Sequence, residues 1–161
     1  ACVWGAEPGG DLELTADKEK IHRVLINLVR NAGQATPDSG SVRLHARVVD
    51  GPEDLSELTT HDAREVFWPS ARPGLWRAVF VTDDGGGIPA DKLSGVFEAF
   101  YTTKEKGSGL GLALARKIVE EHGAGLAAAS TVGRGTVMAV ILPFNEEIER
   151  GKMVVPDGWL G

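Results

Sequence analysis

This sequence of 161 residues contains almost no cysteine and no long hydrophobic run. Its one cysteine, Cys2, cannot form an internal disulfide, and no cluster of cysteine and histidine has the spacing of a zinc site. No apolar stretch approaches the roughly 20 residues that a membrane-spanning helix needs. These absences argue against a disulfide-stapled domain, a zinc domain or a spanning segment in this sequence, and we expect a cytoplasmic location.

An excess of positive charge is also missing, since the formal net charge is -6. Nucleic acids and anionic membranes bind basic surfaces, so neither is expected as a partner. The sequence shows no signal peptide and does not begin with Met. We therefore expect a fragment of a longer parent protein, and a membrane anchor in that parent is left open.

What the sequence does contain is the composition of a soluble globular domain with clear apolar periodicity. Asp17 is a good N-cap for a helix that should end before Pro37, and a second helix is expected at Leu110–His122, closed by Gly123. Strands are expected at residues 3–4, 12–15, 41–49, 75–84, 125–131 and 135–144, and helical turns at 89–94 and 96–100. This order predicts an α+β fold: a two-layer α/β sandwich with helices on one face of a mixed, mostly antiparallel sheet.

Residues 51–74 form a long segment between two predicted strands. We expect a short helix there, around Glu53–Leu58 or His61–Phe67. The pair Phe67 and Trp68 should pack into a local mini-core rather than form an exposed partner site. The domain is expected to occupy residues 1–144, with a C-terminal extension at 145–161.

A glycine-rich stretch, GSGLGL at 107–112, runs directly into the second predicted helix. It matches neither the dinucleotide pattern GxGxxG nor the Walker A pattern, because Leu112 stands where a third glycine is needed and Lys106 precedes the glycines. A helix start still attracts anions through its free N–H groups, and Tyr101–Ser108, with Lys104, can form a mobile lid. The alternative is an ordinary junction between a loop and a helix.

A second glycine stretch follows two aspartates in VTDDGGGIP, residues 81–89. Glycines allow a flat ligand to approach the backbone, and a carboxylate at a strand end can accept a hydrogen bond from the exocyclic amine of adenine. Guanine carries an acceptor at that place and would leave the carboxylate unpaired. The alternative is a plain Asp-Gly turn, just as GRGT, residues 133–136, reads by itself as a hairpin turn.

Asn27 and Asn31 lie four residues apart, so their amides share one face of the first helix. Asparagine is a mediocre helix former, and a side-chain carbonyl oxygen is a suitable ligand for Mg²⁺. The alternative is a pair of structural amides that cap or bridge their neighbours.

The order of these motifs resembles the catalytic, ATP-binding domain of bacterial sensor histidine kinases, which share a Bergerat-type ATP-binding fold with gyrase, mismatch-repair ATPases and a heat-shock chaperone. The corresponding boxes are NLVRNA, DDGGGI, VFEAF, GSGLGL and GRGT, and the likeness runs from about Val3 to Phe144. The resemblance implies ATP and Mg²⁺ as cofactors and a protein-histidine kinase activity.

The resemblance also implies roles for individual residues. Asn31 would hold Mg²⁺, Asn27 would support the phosphates or the metal's water, and Lys104 would act from the lid, so that Asn27 and Lys104 are the catalytic candidates. Asp83 would bind the adenine amine. The other residues that the resemblance assigns to ATP binding are Gly85, Gly87, Ile88, Tyr101, Thr103, Gly107, Ser108, Gly109, Leu110, Gly111, Leu112 and Thr136. Asp84 departs from the family, which usually has Asn there, and we expect it to face away from the base.

Asn27 also bears on the reaction. Relatives that hydrolyse ATP carry a glutamate at this position as a general base, whereas asparagine cannot accept a proton at neutral pH. A neutral imidazole needs no such base, so Asn27 favours transfer to histidine, with catalysis by positioning and charge neutralisation. The four histidines, His22, His45, His61 and His122, lack the pattern of the family's acceptor helix.

The acceptor is therefore expected on a dimerisation domain of the parent protein, with a response-regulator receiver domain as the later partner. The parent would be a homodimer and this fragment a monomer. Two other functions stay open at this point: an ATP-hydrolysing relative, and a degenerate kinase that acts as a protein-binding module.

Overall fold

The computed structural model describes residues 3–6, 17–68, 76–99 and 109–143. These residues form one six-stranded sheet with helices on one side. The strands are β1 (Val3–Ala6), β2 (Ser41–Val49), β3 (Ala63–Phe67), β4 (Trp76–Asp83), β5 (Gly125–Thr131) and β6 (Gly135–Pro143). The helices are α1 (Lys18–Ala35), α2 (Ala90–Leu93) and α3 (Gly111–Glu121), with short 3-10 helices at Pro52–Asp54 and Ser56–Thr60.

The sheet has the strand order β1-β2-β4-β6-β5-β3. The pair β1 and β2 is parallel, and the other four pairs are antiparallel. The prediction of a mixed, mostly antiparallel sheet in an α+β sandwich is thus confirmed. The expected strand at 12–15 and the C-terminal extension lie outside the described residues.

Helix α1 begins and ends where local chemistry requires. The carboxylate of Asp17 accepts hydrogen bonds from the backbone N–H groups of Glu19 and Lys20. The chain leaves the helix at Thr36, whose extended backbone, with ψ of 130°, is the conformation that the following Pro37 favours. One face of α1 is buried against the sheet through Ile21, Val24, Leu28 and Ala32.

The helix side of the sheet holds the larger of two apolar cores. Alternate residues of the strands point to it, because successive side chains of a strand face opposite sides of a sheet. Helices α1, α2 and α3 complete it through residues such as Leu28, Leu93 and Val119. Helix α3 ends as expected, with Gly123 at φ 62° in the left-handed conformation.

The opposite face of the sheet is also apolar, and residues 52–60, together with Trp68, cover it. Leu55 and Leu58 are 2% exposed and pack there against strand residues that include Phe80. The prediction of a local mini-core for this segment is wrong: Trp68 packs edge-on against Trp76 at 5.0 Å between ring centroids. Residues 52–60 instead form a second layer over the sheet.

A charged network fixes this covering segment to β2. The Arg47 guanidinium donates two hydrogen bonds to the Glu57 carboxylate, at 2.7 and 2.8 Å, and also bonds Asp54. His45 stacks on Phe80 with ring centroids 4.7 Å apart. Burial opposes ionisation of Glu57, but the hydrogen bonds from Arg47, its own backbone and His45, with the Arg47 charge, lower its pKa to about 2.

The secondary structure of residues 52–67 was predicted only in part. The helix expected near Glu53–Leu58 is present as the two short 3-10 helices. The alternative helix at His61–Phe67 is wrong, because Ala63–Phe67 is the edge strand β3, paired antiparallel with β5. Its exposed Arg64 and Val66 alternate with half-buried neighbours, the period of a strand.

Candidate functional site

Three polar residues lie side by side at one end of the sheet. In the strand register Asp83 of β4 pairs with Thr136 of β6, which pairs in turn with Ser130 of β5. All three are buried, with exposures of 7%, 4% and 1%. On the helix side of these strands they are the polar end of otherwise apolar rows, so this end of the sheet differs chemically from the core beside it.

The loop after Asp83 turns tightly against its surroundings. The Asp83 carboxylate accepts a hydrogen bond of 2.9 Å from the Gly85 N–H. A Cβ on Gly85 would lie 2.5 Å from the Ala35 carbonyl oxygen at the end of α1, and one on Gly87 would lie 2.2 Å from the Thr131 carbonyl oxygen. Only glycine allows this packing, and φ of 72° at Gly87 requires it independently.

The turn between β5 and β6 is bonded to that loop. The Gly133 N–H donates to the Gly86 carbonyl oxygen at 2.9 Å, and the Ile88 N–H donates to the Ser130 hydroxyl at 2.8 Å. A Cβ on Gly135 would lie 1.9 Å from the Asp83 carbonyl oxygen. The motifs DDGGGI and GRGT, ambiguous as separate turns in the sequence, therefore form one structural unit.

Asp84 points away from this unit, as expected from the sequence. Its carboxylate oxygens accept hydrogen bonds from the Ser41 backbone N–H at 2.7 Å and from the Ser41 hydroxyl at 2.8 Å. These bonds lower the pKa of Asp84. Aspartate in place of the family's asparagine thus ties the loop to the start of β2.

The two asparagines of α1 are one helical turn apart, and Asn27 contacts the start of helix α3. Asn27 donates from Nδ2 to the Gly111 carbonyl oxygen at 3.3 Å, and the guanidinium of Arg30 approaches its Oδ1 at 3.5 Å. Asn31, one turn further, is half-buried, and its side chain forms no hydrogen bond with another residue in the described ranges. From Asn27 to Ala35, α1 spans about 12 Å at 1.5 Å per residue, with Asn31 midway.

Helix α3 begins without a side-chain cap among the described residues. This contrasts with α1, whose first N–H groups bond the Asp17 carboxylate. The helix is entered through Gly109, at φ 64°, and Leu110, which is 45% exposed. The positive dipole end of the helix therefore lies beside Asn27, where it would attract an anion.

The predicted site residues therefore divide into two groups. The structure brings Asn27, Gly111 and Gly109 together at one end and Asp83, Gly85, Gly87 and Thr136 at the other, with Asn31 between them. Ile88 and Leu112 pack at the margin of the helix-side core. The lid residues Tyr101, Thr103, Lys104, Gly107 and Ser108 lie outside the described residues.

Arg116 of α3 links this helix to residues before and beside it in the fold. Its guanidinium bonds the Glu98 carboxylate, which precedes the lid, and lies 4.8 Å from the centre of the Phe67 ring. Phe67 of β3 thus contacts α3 through Arg116. This contact has no signal in the sequence, because it depends on pairing between β3 and β5.

None of the four histidines, all of which lie in the described residues, belongs to either group of site residues. His45 bonds Glu57, and His122 contacts the Ile118 carbonyl oxygen through Nδ1 at 2.7 Å at the end of α3. Burial, together with the charge of Arg134, lowers the pKa of His61, although Asp62 opposes this. His22 lies on the exposed side of α1.

Sequence reasoning missed Ser130 and Gly135. Gly135 was included only as part of a turn, although the close approach of the Asp83 backbone requires it. Ser130 looks like an ordinary strand residue. Its one signal is a hydroxyl on the buried face of the run GLAAAST, where Leu126 and Ala128 precede it at the same parity.

The residues fit a magnesium site with one or two protein ligands. Within the described ranges no group of three His, Cys, Asp or Glu side chains could hold a metal ion. Mg²⁺ commonly takes one or two protein oxygens and completes its shell with water and phosphate. The half-buried Asn31 side chain carries one amide oxygen, a hard ligand that suits that role.

The described helices include none that is long and apolar enough to span a membrane.

An α+β sandwich with a strand-end carboxylate, two glycine turns and an uncapped helix start is the architecture of an ATPase-type nucleotide-binding domain. Residues 16–146 match the family described as histidine kinase-, DNA gyrase B-, and HSP90-like ATPase. The chain belongs to this family.

The chain is similar to sensor histidine kinases. It is 34% identical to sensor histidine kinase ZraS of Escherichia coli strain K12 over 133 residues, which are 83% of this chain and 23% of that protein. It is 37% identical to sensory histidine kinase/phosphatase NtrB of Azospirillum brasilense over 134 residues, 83% of this chain and 31% of that protein. The chain therefore spans only about a quarter to a third of these curated relatives.

The chain is also similar to solved structures of histidine kinases. The catalytic domain of histidine kinase ThkA, nucleotide-free, matches with a TM-score of 0.62 at 28% identity, covering 87% of this chain and 76% of that one. Full-length ShkA in complex with AMPPNP matches with a TM-score of 0.63 at 25% identity, covering 89% of this chain and 25% of that one. The expected resemblance and fold class are confirmed.

Proposed function

We propose that this chain is the ATP-binding catalytic domain of a sensor histidine kinase. It binds ATP with Mg²⁺ and donates the γ-phosphoryl group to a histidine on a dimerisation domain of the same parent protein. That group then passes to an aspartate of a response-regulator receiver domain. In this proposal the domain works in the cytoplasm, is monomeric as a fragment, and belongs to a homodimeric parent.

The observation that carries the proposal is the division of the site into two chemically different ends. Asp83 and Thr136 supply buried hydrogen-bonding groups beside a glycine loop, which suits a flat base with an amine. Asn27 and the start of α3 supply donors about 12 Å further along α1, which suits phosphates. Between the two lies Asn31.

Asn31 would hold Mg²⁺ against the phosphates, and the ion would neutralise charge on the triphosphate. The protein's own part is positioning, which can supply a large share of the rate in phosphoryl transfer. Helix α3 would fix the phosphate chain through its N–H groups. Lys104 would approach from the lid as a second positive charge.

Asn27 supports transfer rather than hydrolysis. Its amide is engaged as a donor to the Gly111 carbonyl oxygen and has no basic atom that could activate water. A neutral imidazole nitrogen can attack the γ-phosphorus directly. A nitrogen–phosphorus bond then forms, the bond from phosphorus to the β-phosphate oxygen breaks, ADP leaves, and the imidazole N–H proton goes to solvent.

The test measures whether the γ-phosphoryl group of ATP goes to histidine or to water. The chain is incubated with ATP labelled at the γ-phosphate, with and without the dimerisation domain of its parent, and phosphohistidine and free phosphate are measured separately. We expect label on the dimerisation domain and little free phosphate from the chain alone. A matched dimerisation domain with the acceptor histidine replaced by glutamine should stay unlabelled.

Two other results would change the assignment. Rapid release of phosphate by the chain alone would favour the ATP-hydrolysing alternative. Failure to bind ATP with Mg²⁺ at millimolar concentrations would favour a degenerate kinase that serves as a protein-binding module.

A further inference from the structure

Ser130 carries a buried hydroxyl with three polar contacts. It lies next to the pair Asp83 and Thr136, which form the end of the proposed ATP site that would hold the base, called the base end below. It lies on the helix side of β5 and is 1% exposed. The Ile88 N–H lies 2.8 Å from its oxygen, the Gly135 carbonyl oxygen 2.9 Å, and the Thr136 hydroxyl oxygen 2.9 Å. These partners belong to the glycine loop and to the first two residues of β6.

Counting hydrogens fixes the direction of all three bonds. A serine hydroxyl has one hydrogen and two lone pairs. The Ile88 N–H can only donate, so it occupies one lone pair, and the Gly135 carbonyl can only accept, so it takes the hydrogen. The second lone pair is left for Thr136, which must therefore donate its own hydroxyl hydrogen to Ser130.

Thr136 is then left with lone pairs alone. Its partner across the strands is Asp83, and the Cβ atoms of directly opposed residues lie about 4.5–5.5 Å apart. Since Asp83, when ionised, can also only accept hydrogen bonds, two adjacent acceptors stand at the base end. Such a pair matches a base edge that carries donors and opposes one that carries a carbonyl oxygen.

We propose that Ser130 is a positioning residue that holds the Thr136 hydroxyl as an acceptor and so contributes to selection of an amino-bearing base. This inference rests on the proposed function, because it concerns the base of the same nucleotide. It goes further in assigning part of the base preference to a residue that does not itself touch the nucleotide. Without Ser130, the Thr136 hydroxyl is free to turn and donate to a carbonyl.

The test compares ATP with inosine triphosphate, whose base carries a carbonyl oxygen in place of the adenine amine. The Kd of each is measured with Mg²⁺ by titration calorimetry for the wild-type chain and for Ser130→Ala. We expect the preference for ATP to narrow by about fivefold in Ser130→Ala, the factor of one neutral hydrogen bond. Asp84→Asn, at a residue that bonds Ser41 outside this cluster, should retain the preference.

A second pair of variants separates this role from simple support of the loop. In a Thr136→Val background, Ser130→Ala should leave the ratio of the two Kd values unchanged, because no hydroxyl remains to be turned. A purely structural Ser130 would weaken both nucleotides equally in either background. An unchanged ratio in Ser130→Ala, or the same change in both backgrounds, would overturn the proposal.

Loss of Ser130 leaves the Ile88 N–H and the Gly135 carbonyl unpaired, so folding must be checked by thermal unfolding. If Ser130→Ala does not fold, Ser130→Cys replaces the hydroxyl by a slightly larger thiol, a weak donor and acceptor, and should narrow the ratio partially. Full wild-type selectivity in a folded Ser130→Cys chain would then count against the proposal. If the wild-type chain binds neither nucleotide, the proposed function itself fails, which is a separate outcome.

Discussion

Replacing Asp83 by asparagine changes one atom at the base end and reverses its hydrogen-bonding character. In the structure the carboxylate is buried and accepts the Gly85 N–H at 2.9 Å. An asparagine can keep that bond through its carbonyl oxygen, so the loop should retain its shape. Its NH₂ group, however, would present hydrogens where the carboxylate presented lone pairs.

The magnitude follows from the bond that is lost. A hydrogen bond to a charged group contributes about 1.5–3 kcal/mol, so the Kd for ATP should rise by about 10-fold to 150-fold in Asp83→Asn. Inosine triphosphate should lose much less, because its carbonyl oxygen can accept from the new NH₂ group. The preference for ATP over inosine triphosphate should therefore shrink or invert.

The assay is titration calorimetry of both nucleotides with Mg²⁺, and Asp84→Asn is the matched control. Asp84 is the neighbouring residue and carries the same charge, but its carboxylate bonds Ser41. The control should keep the wild-type preference. Equal selectivity in the wild-type and Asp83→Asn chains, or equal effects of the two substitutions, would remove Asp83 from the base site.

Two further predictions concern the metal and the second face of the sheet. Asn31→Ala should abolish the enhancement of ATP binding by Mg²⁺ while Asn31→Asp retains it, and unchanged Mg²⁺ dependence in the alanine variant would refute the assignment. The lowered pKa of Glu57 predicts a contribution to stability that is present above about pH 4.5 and is lost as the pH falls towards 2. Full burial would make that contribution about 3 kcal/mol, and partial exposure reduces it to about 1–2 kcal/mol. Urea unfolding at pH 7 should show this loss in Glu57→Gln and a flatter acid profile than in the wild-type chain, and coincident profiles would contradict it.

The helices and the central strands could be predicted because local chemistry determines them. Asp17 and Pro37 mark the limits of α1, and the apolar period between them identifies its buried face. The strands β2, β4, β5 and β6 have long apolar or alternating runs. The relation between the glycine turns could be anticipated only through the family resemblance, since each turn alone is an ordinary one.

The second face of the sheet could not be predicted, because it depends on contacts between distant residues. Ala63–Phe67 contains two adjacent charged residues, Arg64 and Glu65, and becomes a strand only by pairing with β5. Leu55 and Leu58 give no indication in the sequence of the surface they cover. Ser130 was missed for a similar reason: its importance comes from Ile88 and Gly135, which the fold brings to it.

The most direct test of the central claim is an amide chemical-shift map of the chain titrated with ATP and Mg²⁺. The account predicts saturable changes at Gly85, Gly87, Asn31, Gly111 and Thr136, and little change at residues 55–58 on the opposite face of the sheet. Absence of saturable changes at millimolar ATP, or changes centred on residues 55–58, would contradict it.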